Sequence, residues 1–161
     1  MDGRHHDPDE RAGEPGFALT ARLDVATRKL IALARSTPRD GGVASDDPLV
    51  RDRVASLWID LQGLRFTNYR AFSSFLKTGA PGPEGSVAKL FWSETNQRLT
   101  KTALDVEGTF ALLDGGSDRA VADGYWQHAE LRSRGNSIEG GTSEILRNII
   151  AERVLSLPKS R

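Results

Sequence analysis

The stretch GNSIEGGTSEILRNIIAERVL, residues 135–155, joins a glycine pair to the start of an amphipathic helix near the end of the chain. Three interpretations compete: a phosphate-binding loop, a catalytic carboxylate beside a turn, and a helix N-terminus. The glycines and Thr142 have the spacing of the phosphate-binding motif G-x-x-x-x-G-K-[ST], but Gly141 stands where that motif needs its lysine. The preceding segment, YWQHAELRSR (125–134), has a polar helical pattern and not that of a buried strand. The sequence therefore argues against a phosphate-binding loop.

The same stretch has the features of a well-formed helix start. Thr142 or Ser143 can cap the helix, and Glu144 lies in the first turn, where the helix dipole favours a negative charge. Gly140 and Gly141 leave the backbone bare just ahead of the cap, so that another group can approach closely. Free N–H groups at such an end bind diphosphate well. These features alone do not establish a ligand, since most capped helices bind none.

The composition excludes several functional classes. The chain of 161 residues contains no cysteine, which rules out disulfides, thiol catalysis and cysteine-ligated zinc. Lys plus Arg and Asp plus Glu both number 22, and this balance gives no broad electrostatic reason to expect nucleic acid as a partner. No apolar run approaches the roughly 20 residues of a membrane span, and the polar N-terminus lacks the apolar stretch of a signal peptide. We therefore expect a cytoplasmic protein without a membrane partner.

Both ends of the chain are predicted to be tails. Residues 1–16 contain prolines, glycines and many charges and are expected to be disordered, and residues 159–161 form a short C-terminal tail. His5 and His6 stand side by side in the first tail, where a disordered pair offers no fixed geometry to a metal ion. We therefore expect no metal site.

Between these tails, residues 17–158 are predicted to form one helical domain. Apolar residues recur at spacings of three and four in each main segment, as in helices that bury one face. No segment shows the alternating pattern of a strand. The expected fold is all-α, an antiparallel up-and-down four-helix bundle with an extra short helix. The predicted helices cover residues 17–35, 50–77, 86–107, 119–134 and 145–155.

Two groups of side chains have expected structural roles. Pairs of opposite charge four residues apart, Asp24 with Arg28 and Glu94 with Arg98, are expected to stabilise exposed helix faces. Aromatic residues on the apolar stripes are expected to pack in the core and not to stack on a ligand. The expected core aromatics are Trp58, Phe72, Phe75 and Trp92.

The segment SIEGGTSEILRNIIAERVLSLP (137–158) resembles the C-terminal signature of the acyl-CoA dehydrogenases, whose usual form is close to I-x-E-G-T-x-E/Q-I-x-R-x-x-I-x-R. GPEGSVAKLFWSE (82–94) also resembles members of this family, especially bacterial ones that handle lipid or steroid side chains. The similarity extends from about residue 19 to residue 158. The full-length enzymes have an N-terminal helical domain, a middle β domain and a C-terminal four-helix domain. This chain resembles only the last of these domains.

The resemblance implies an FAD-dependent dehydrogenase that removes hydrogens from the α and β carbons of an acyl-CoA thioester. In the family, FAD lies between the middle domain and the C-terminal helices, partly those of a neighbouring subunit. The implied partners are therefore other acyl-CoA dehydrogenase subunits, in homo- or hetero-oligomers, and an electron-transfer acceptor. Carried over onto this chain, the motif implies that Thr142, Ser143 and Glu144 contact FAD and that Gly141 lies near the thioester substrate.

The position of the catalytic base departs from the family pattern. In the family, a glutamate immediately before Gly-Thr takes the α proton, and burial can raise the pKa of such a carboxylate toward that task. Gly140 occupies this position here, and the one nearby carboxylate is Glu139, one residue earlier. Glu139 is therefore the candidate catalytic residue, and the alternative is an exposed carboxylate that helps to order the turn. Relatives with the base near the first helix would place it around Asp9 and Glu10, in a tail too dissimilar to compare.

Two further family elements are missing or incomplete. ARSTPRDGG (34–42) lacks the Phe-Gly of an Arg-x-x-Phe-Gly element that reaches a neighbour's FAD, and DVEGT (105–109) keeps only Gly108 of a Gln-x-x-Gly-Gly element. Two functions therefore stay open. One is a C-terminal domain or fragment of an acyl-CoA dehydrogenase that needs missing domains or a partner subunit for activity. The other is a non-catalytic helical module for oligomerisation or interaction. The first implies an exposed apolar surface where the β domain packs in the family.

Overall fold

A computed structural model describes residues 15–159, most of which are helical. The predicted all-α bundle is confirmed. The predicted N-terminal tail, with His5 and His6, lies outside the described residues, except that the first helix already includes Pro15 and Gly16. The helices are α1 Pro15–Ser36, α2 Pro48–Thr78, α3 Glu84–Glu107, α4 Tyr125–Arg134 and α5 Ser143–Arg153.

Helix α3 is the centre of the bundle, because α1, α2, α4 and α5 all pack against it. Its inner side carries Leu99 and Ala103, both completely buried. Leucines of α1 and α2 surround this side, and burying each leucine stabilises the fold by about 2 kcal/mol. Since α4 and α5 both lie on α3, that helix also positions the connection between them. The buried leucines of α1 and α2 are Leu23, Leu30, Leu33, Leu57, Leu61 and Leu64.

The ends of α2 have strong local signals. Asp47 caps the N-terminus, where its side chain accepts a hydrogen bond of 2.8 Å from the N–H of Leu49. Pro48 occupies the first helical position, where its missing N–H costs nothing. Gly79 ends the helix with a left-handed φ of 70°. These signals account for a helix that starts and stops sharply over 31 residues.

A short hairpin lies between α1 and α2, where the sequence predicted no strand. Strand β1 (Pro38–Arg39) pairs antiparallel with β2 (Gly42–Val43). Asp40 and Gly41 turn the chain with φ values of 47° and 82°, as a tight hairpin turn requires. The prediction was wrong because two-residue strands are too short to show alternation. The Asp40-Gly41 pair was the one local signal in the sequence that could have predicted the hairpin turn.

The fourth predicted helix also starts later than expected. The prediction placed it over residues 119–134, whereas α4 begins at Tyr125. Ala122, Asp123 and Gly124 have left-handed φ values of 48°, 53° and 72°, which no right-handed helix can include. Gly124 packs so tightly that a Cβ there would lie 2.6 Å from the backbone N of Gly115. This contact stops the helix from extending toward residue 119.

The core contains only part of the aromatic set that the sequence predicted. Trp92 is buried, with 9% of its surface accessible. Trp58, Phe72 and Phe75 are 40%, 48% and 44% exposed, so the prediction that they lie in the core was wrong. They belong to α2, which carries apolar residues on its outer side as well as on its inner side. Periodicity alone could not tell which residues face inward.

One of the two predicted ion pairs forms. Arg28 Nε lies 2.8 Å from Asp24 Oδ2, which confirms the first pair. The second prediction was wrong because each member has a partner on another helix. Arg98 contacts Asp60 of α2 at 2.6 Å, and Glu94 accepts from Arg147 of α5. Both pairs therefore link α3 to another helix and do not form along the exposed face of α3 itself.

The buried carboxylate of Glu107 lies at the end of α3. Gln127 Nε2 donates to its Oε2 at 2.8 Å, whereas its Oε1 has no hydrogen-bond partner among residues 15–159. Burial raises the pKa of Glu107 above its usual value, and the hydrogen bond from Gln127 offsets only part of this effect. The ionised form therefore destabilises the folded protein.

We expect Glu107→Gln to raise the free energy of unfolding at neutral pH by about 1 kcal/mol, since it removes a poorly solvated charge. The pKa of Glu107 is higher in the folded protein than in the unfolded chain. The free energy of unfolding of the wild type therefore falls as the pH rises from the unfolded pKa to the folded pKa of this group. The advantage of the variant should therefore shrink in acid. Chemical denaturation at acidic and neutral pH measures it, with the exposed Asp52→Asn as control. A variant that is less stable at neutral pH contradicts the assignment.

Candidate functional site

The connection between α4 and α5 makes a corner, which we define as residues 139–144 and call the glycine corner. Gly140 and Gly141 have φ values of 63° and 101°, in the region that L side chains rarely adopt. A Cβ added at Gly140 would meet only Lys89 Cε, at 3.7 Å, and one at Gly141 would meet Leu146 Cδ2 at 3.5 Å. The glycines are therefore needed for the backbone conformation and not to relieve crowding. The space beside them is open.

Helix α5 begins within the corner. Thr142 is its N-cap: Oγ1 accepts from the N–H of Ile145 at 3.3 Å, and its carbonyl accepts from the N–H of Leu146 at 2.9 Å. This confirms the predicted cap at Thr142. Within residues 15–159, the N–H groups of Ser143 and Glu144 donate to no other protein group. Together with the positive end of the helix dipole, they are suited to an anionic or hydrogen-bond-accepting ligand.

The ammonium group of Lys89 ties this corner to α3. Its Nζ donates to the carbonyl oxygens of Asn136, at 2.7 Å, and Gly141, at 2.9 Å. Partial burial lowers the pKa of Lys89 below its usual value, and the nearby carboxylate of Glu139 opposes the shift. The two carbonyls stand on either side of the turn. The Lys89 side chain therefore holds both ends of the turn.

The carboxylate of Glu139 is fully engaged on the outer side of the turn. Its Oε2 accepts from Arg132 at 2.7 Å, and its Oε1 accepts from Asn136 Nδ2 at 2.7 Å. These two hydrogen bonds, that from Arg132 first, hold the pKa of Glu139 below its usual value. A base for a weakly acidic C–H needs a raised pKa. The observed contacts suit the ordering of the turn better than proton abstraction.

The remaining predicted site residues lie together along the first turn of α5. The side chain of Ser143 is buried, and that of Glu144 is exposed, with its Oε1 3.7 Å from Arg147 Nη1. Gly141, Thr142, Ser143 and Glu144 are consecutive at the start of α5, and their contacts with FAD and the thioester stay predictions.

An open groove of about 680 Å³ leads away from the glycine corner, between α1 and α4 and above α3. One end is polar and is lined by Lys89, Asn96, Arg132, Asn136 and Glu139. The walls are apolar and are formed by Leu19, Val25, Ala26, Trp92, Trp126 and Ala129. Sequence reasoning missed this groove because its walls come from segments about a hundred residues apart. No spacing signal connects them, although Lys89 lies inside the quoted segment 82–94.

Three other observations concern the described residues. No group of three or more His, Cys, Asp or Glu side chains in residues 15–159 could hold a metal ion. None of the helices in this part of the chain combines the length and the apolar character that crossing a membrane requires.

Arg39 lies in the segment that lacks the Phe-Gly element. It binds Asp47 at 3.0 Å and the carbonyl of Asp105 at 2.9 Å, so it stabilises the fold.

The family model described as acyl-CoA dehydrogenase, C-terminal domain, matches residues 16–155. The chain belongs to the acyl-CoA dehydrogenase family. It is 39% identical over 131 residues to acyl-CoA dehydrogenase IpdE1 of Mycolicibacterium smegmatis, which covers 81% of this chain and 30% of the relative. It is 37% identical over 157 residues to acyl-CoA dehydrogenase IpdE1 of Mycobacterium tuberculosis, and this match covers 91% of this chain and 36% of the relative. The chain thus spans about a third of the length of these acyl-CoA dehydrogenases.

Solved structures of the family share the fold. The ChsE4-ChsE5 complex from Mycobacterium tuberculosis matches with a TM-score of 0.75 and 26% identity, over 88% of this chain and 36% of that one. The Tcur3481-Tcur3483 steroid ACAD matches with a TM-score of 0.74 and 23% identity, over 90% of this chain and 37% of that one. The second likeness, at this identity, shows the fold alone. The family resemblance noted from the terminal motif is confirmed.

We expect Lys89→Met to loosen the glycine corner, because two carbonyl groups lose their charged donor. The loss should cost about 1–3 kcal/mol of unfolding free energy. Hydrogen exchange of the amides of Ile145 and Leu146, which both donate to Thr142, should accelerate more than that of the α2 amides. The exposed Lys101→Met, on the same helix, serves as the control. Unchanged exchange at the corner would show that Lys89 does not hold it.

Proposed function

We propose that this chain is the C-terminal helical domain of an FAD-dependent acyl-CoA dehydrogenase and that the glycine corner forms part of its flavin site. The observation that carries the proposal is the pair of N–H groups of Ser143 and Glu144, which have no acceptor among residues 15–159 and follow two glycines with positive φ. They fit the acceptor atoms of a flavin dinucleotide. FAD, when bound, supplies the hydride acceptor. In this proposal Thr142, Ser143 and Glu144 hold FAD, and Gly141 lies beside the thioester.

The electrostatics of the corner are compatible with this ligand. Arg147 lies 3.7 Å from the carboxylate of Glu144 and also pairs with Glu94, so it offsets only part of the negative charge at the helix start. Lys89 adds a positive charge directly behind Gly141. The carbonyl oxygens of Asn136 and Gly141 accept from Lys89, so these two acceptors are occupied. The N–H groups of Ser143 and Glu144 have no acceptor among residues 15–159.

The groove supports an acyl-CoA with a bulky acyl group as the substrate. Its volume of about 680 Å³ lies in the range of small-molecule sites, and its walls are mainly apolar. The polar end of the groove is at Gly140 and Glu139, next to the place proposed for the thioester. We therefore propose a lipid or steroid side chain as the acyl part.

For Glu139 we propose the second of the two roles that the sequence left open, the ordering of the turn. Its two oxygens are occupied by Arg132 and Asn136, and its lowered pKa makes it a weak base. Gly140, at the usual base position, has no side chain. The α proton then passes to a carboxylate of another acyl-CoA dehydrogenase subunit or domain, and this chain alone is inactive. The name of the ChsE4-ChsE5 complex supports a two-component assembly for that neighbour.

A non-catalytic helical module is the second candidate. The missing side chain at residue 140 favours it, because a module needs no base. The glycine corner argues against it, since a helix that only packs has no use for two left-handed glycines in front of its cap. The two candidates differ in whether the corner touches a flavin.

We expect Gly141→Val to abolish flavin retention when the chain is co-expressed with acyl-CoA dehydrogenase subunits encoded beside its gene. A side chain at this left-handed residue strains the backbone by about 1–2 kcal/mol and fills the space in front of α5. Flavin absorbance per mole of purified complex measures retention, and circular dichroism checks helicity. Gly116→Val is the matched control, because Gly116 has a φ of 88° and no neighbour within 4 Å of an added Cβ.

Equal flavin content in the Gly141→Val and Gly116→Val complexes would contradict a flavin site at the corner. A wild-type chain that retains no flavin with any such subunit would favour the non-catalytic module.

We expect Glu139→Gln to retain turnover of the active complex within about tenfold, because an amide at this place can still accept from Arg132. A general base contributes 10²–10⁴-fold, so its loss gives a far larger drop. Steady-state turnover at saturating acyl-CoA measures the effect, and Glu94→Gln is a control outside the corner. A drop of about a thousandfold with unchanged flavin content would restore Glu139 as the base.

A further inference from the structure

The groove between α1 and α4 has two defined ends. Gly140 and Glu139 of the glycine corner lie at one end, and Tyr125, the first residue of α4, lies at the other. The part of α3 that forms the floor runs from Lys89, beside the corner, to Thr100. At 1.5 Å per residue this stretch is about 16 Å long. The groove therefore has room for a group of limited length.

The ring of Tyr125 is supported from two sides. On α1, Lys29 Nζ lies 4.1 Å from the ring centroid, in a cation–π contact. On α4, the ring meets that of Trp126 edge-on, with centroids 4.9 Å apart and planes at 79°. Trp126 itself is buried, with 3% of its surface accessible. Two neighbours therefore hold the Tyr125 ring at the end of the groove.

Lys29 connects the two walls of the groove. Leu19, Arg22 and Ala26 of α1 line it at spacings of three and four, and Lys29 follows three residues later on the same helix face. Its contact with Tyr125 is the one hydrogen bond, ion pair or ring contact that joins α1 to α4 within residues 15–159. This link lies at the end of the groove remote from the glycine corner.

We propose that Tyr125, held by Lys29, is the end wall of the acyl groove and limits the length of the acyl group. This inference rests on the proposed function, in which the thioester lies beside Gly141 at the opposite end. An extended hydrocarbon chain advances about 1.25 Å per carbon atom, given bonds of about 1.52 Å and angles of about 111°. A groove of about 16 Å therefore holds about twelve carbon atoms before the chain meets the Tyr125 ring.

The exposure of Tyr125 predicts how affinity depends on acyl length. The residue is 39% exposed, so the side of the ring outside the groove meets water. Carbon atoms that pass beyond the ring gain no burial there. Each methylene buried in the groove raises affinity about fourfold, whereas one that stays in water adds nothing. Affinity should therefore rise with acyl length up to about twelve carbon atoms and then level off.

A series of straight-chain thioesters, from hexanoyl-CoA to tetradecanoyl-CoA, tests this limit. Each is titrated into the full chain and followed by tryptophan fluorescence, since two of the three tryptophans, Trp92 and Trp126, line the groove. The expected wild-type result is a dissociation constant that falls with each added methylene and levels off near dodecanoyl-CoA.

Tyr125→Ala removes the wall and should move the levelling-off point to longer chains. Tetradecanoyl-CoA should then bind about fourfold or more tighter than it binds to the wild type, because at least one more methylene is buried. Tyr125→Phe keeps the ring and should leave the levelling-off point unchanged. Tyr69→Ala is the matched control, because Tyr69 is 51% exposed on α2 and lies outside the groove. Circular dichroism checks that each variant is folded.

Lys29→Met separates the support of the ring from the ring itself. It keeps an unbranched side chain and removes the charge that lies over Tyr125. A cation–π contact at an exposed site corresponds to about two- to fivefold in an equilibrium constant. The ratio of tetradecanoyl-CoA to octanoyl-CoA affinity should therefore rise by about that factor, and by less than in Tyr125→Ala. An unchanged ratio would show that Lys29 does not hold the wall.

Two results would overturn the end wall and leave the proposed function standing. One is a wild-type affinity that keeps rising up to tetradecanoyl-CoA, and the other is a levelling-off point that Tyr125→Ala leaves in place. Binding of none of the thioesters, to the chain or to its complex with acyl-CoA dehydrogenase subunits, would instead show that the groove is not the acyl site. That result would overturn the groove's part in the proposed function together with this inference.

Discussion

The contact of the Lys89 ammonium with two backbone carbonyls is the interaction on which the arrangement of this domain depends. It joins α3, the helix against which the others pack, to the turn that ends α4 and starts α5. The carbonyl oxygens of Asn136 and Gly141 are both occupied by the Lys89 ammonium. The N–H groups of Ser143 and Glu144 are free because they lie in the first turn of α5, where a helix offers no acceptor.

The chemistry proposed for the domain rests on these two N–H groups and on the groove. Free N–H groups at a helix start suit a flavin dinucleotide, and the groove that starts at the same corner suits an apolar acyl chain. The engaged carboxylate of Glu139 orders the turn, and Gly140 leaves the usual base position empty. In the proposed function, the chain supplies one wall of a site whose base and remaining walls come from other domains or subunits. Its length, about a third of that of its relatives, agrees with such a division.

Local signals in the sequence were sufficient for the number and order of the main helices, because periodicity involves residues close together in the chain. They did not give the start of α4 at Tyr125, and they left the cap of α5 open between Thr142 and Ser143. Contacts between distant segments could not be predicted in the same way. The binding of Lys89 to the corner and of Arg98 to Asp60 leaves no trace in spacing. Helix α2 has two apolar stripes, so the pattern could not show that Trp58 is exposed. The left-handed Ala122 carries no signal at all, since alanine is a strong helix former.

The most direct test of the account is an NMR spectrum of the ¹⁵N-labelled chain in complex with its acyl-CoA dehydrogenase partner, recorded with and without FAD. The account predicts that FAD shifts the amide signals of Ser143, Glu144 and the two corner glycines. The signals of Gly115 and Gly116, in a loop remote from the corner, should stay in place. Shifts that avoid residues 140–144 while FAD is bound to the complex would contradict the claim that this corner touches the flavin.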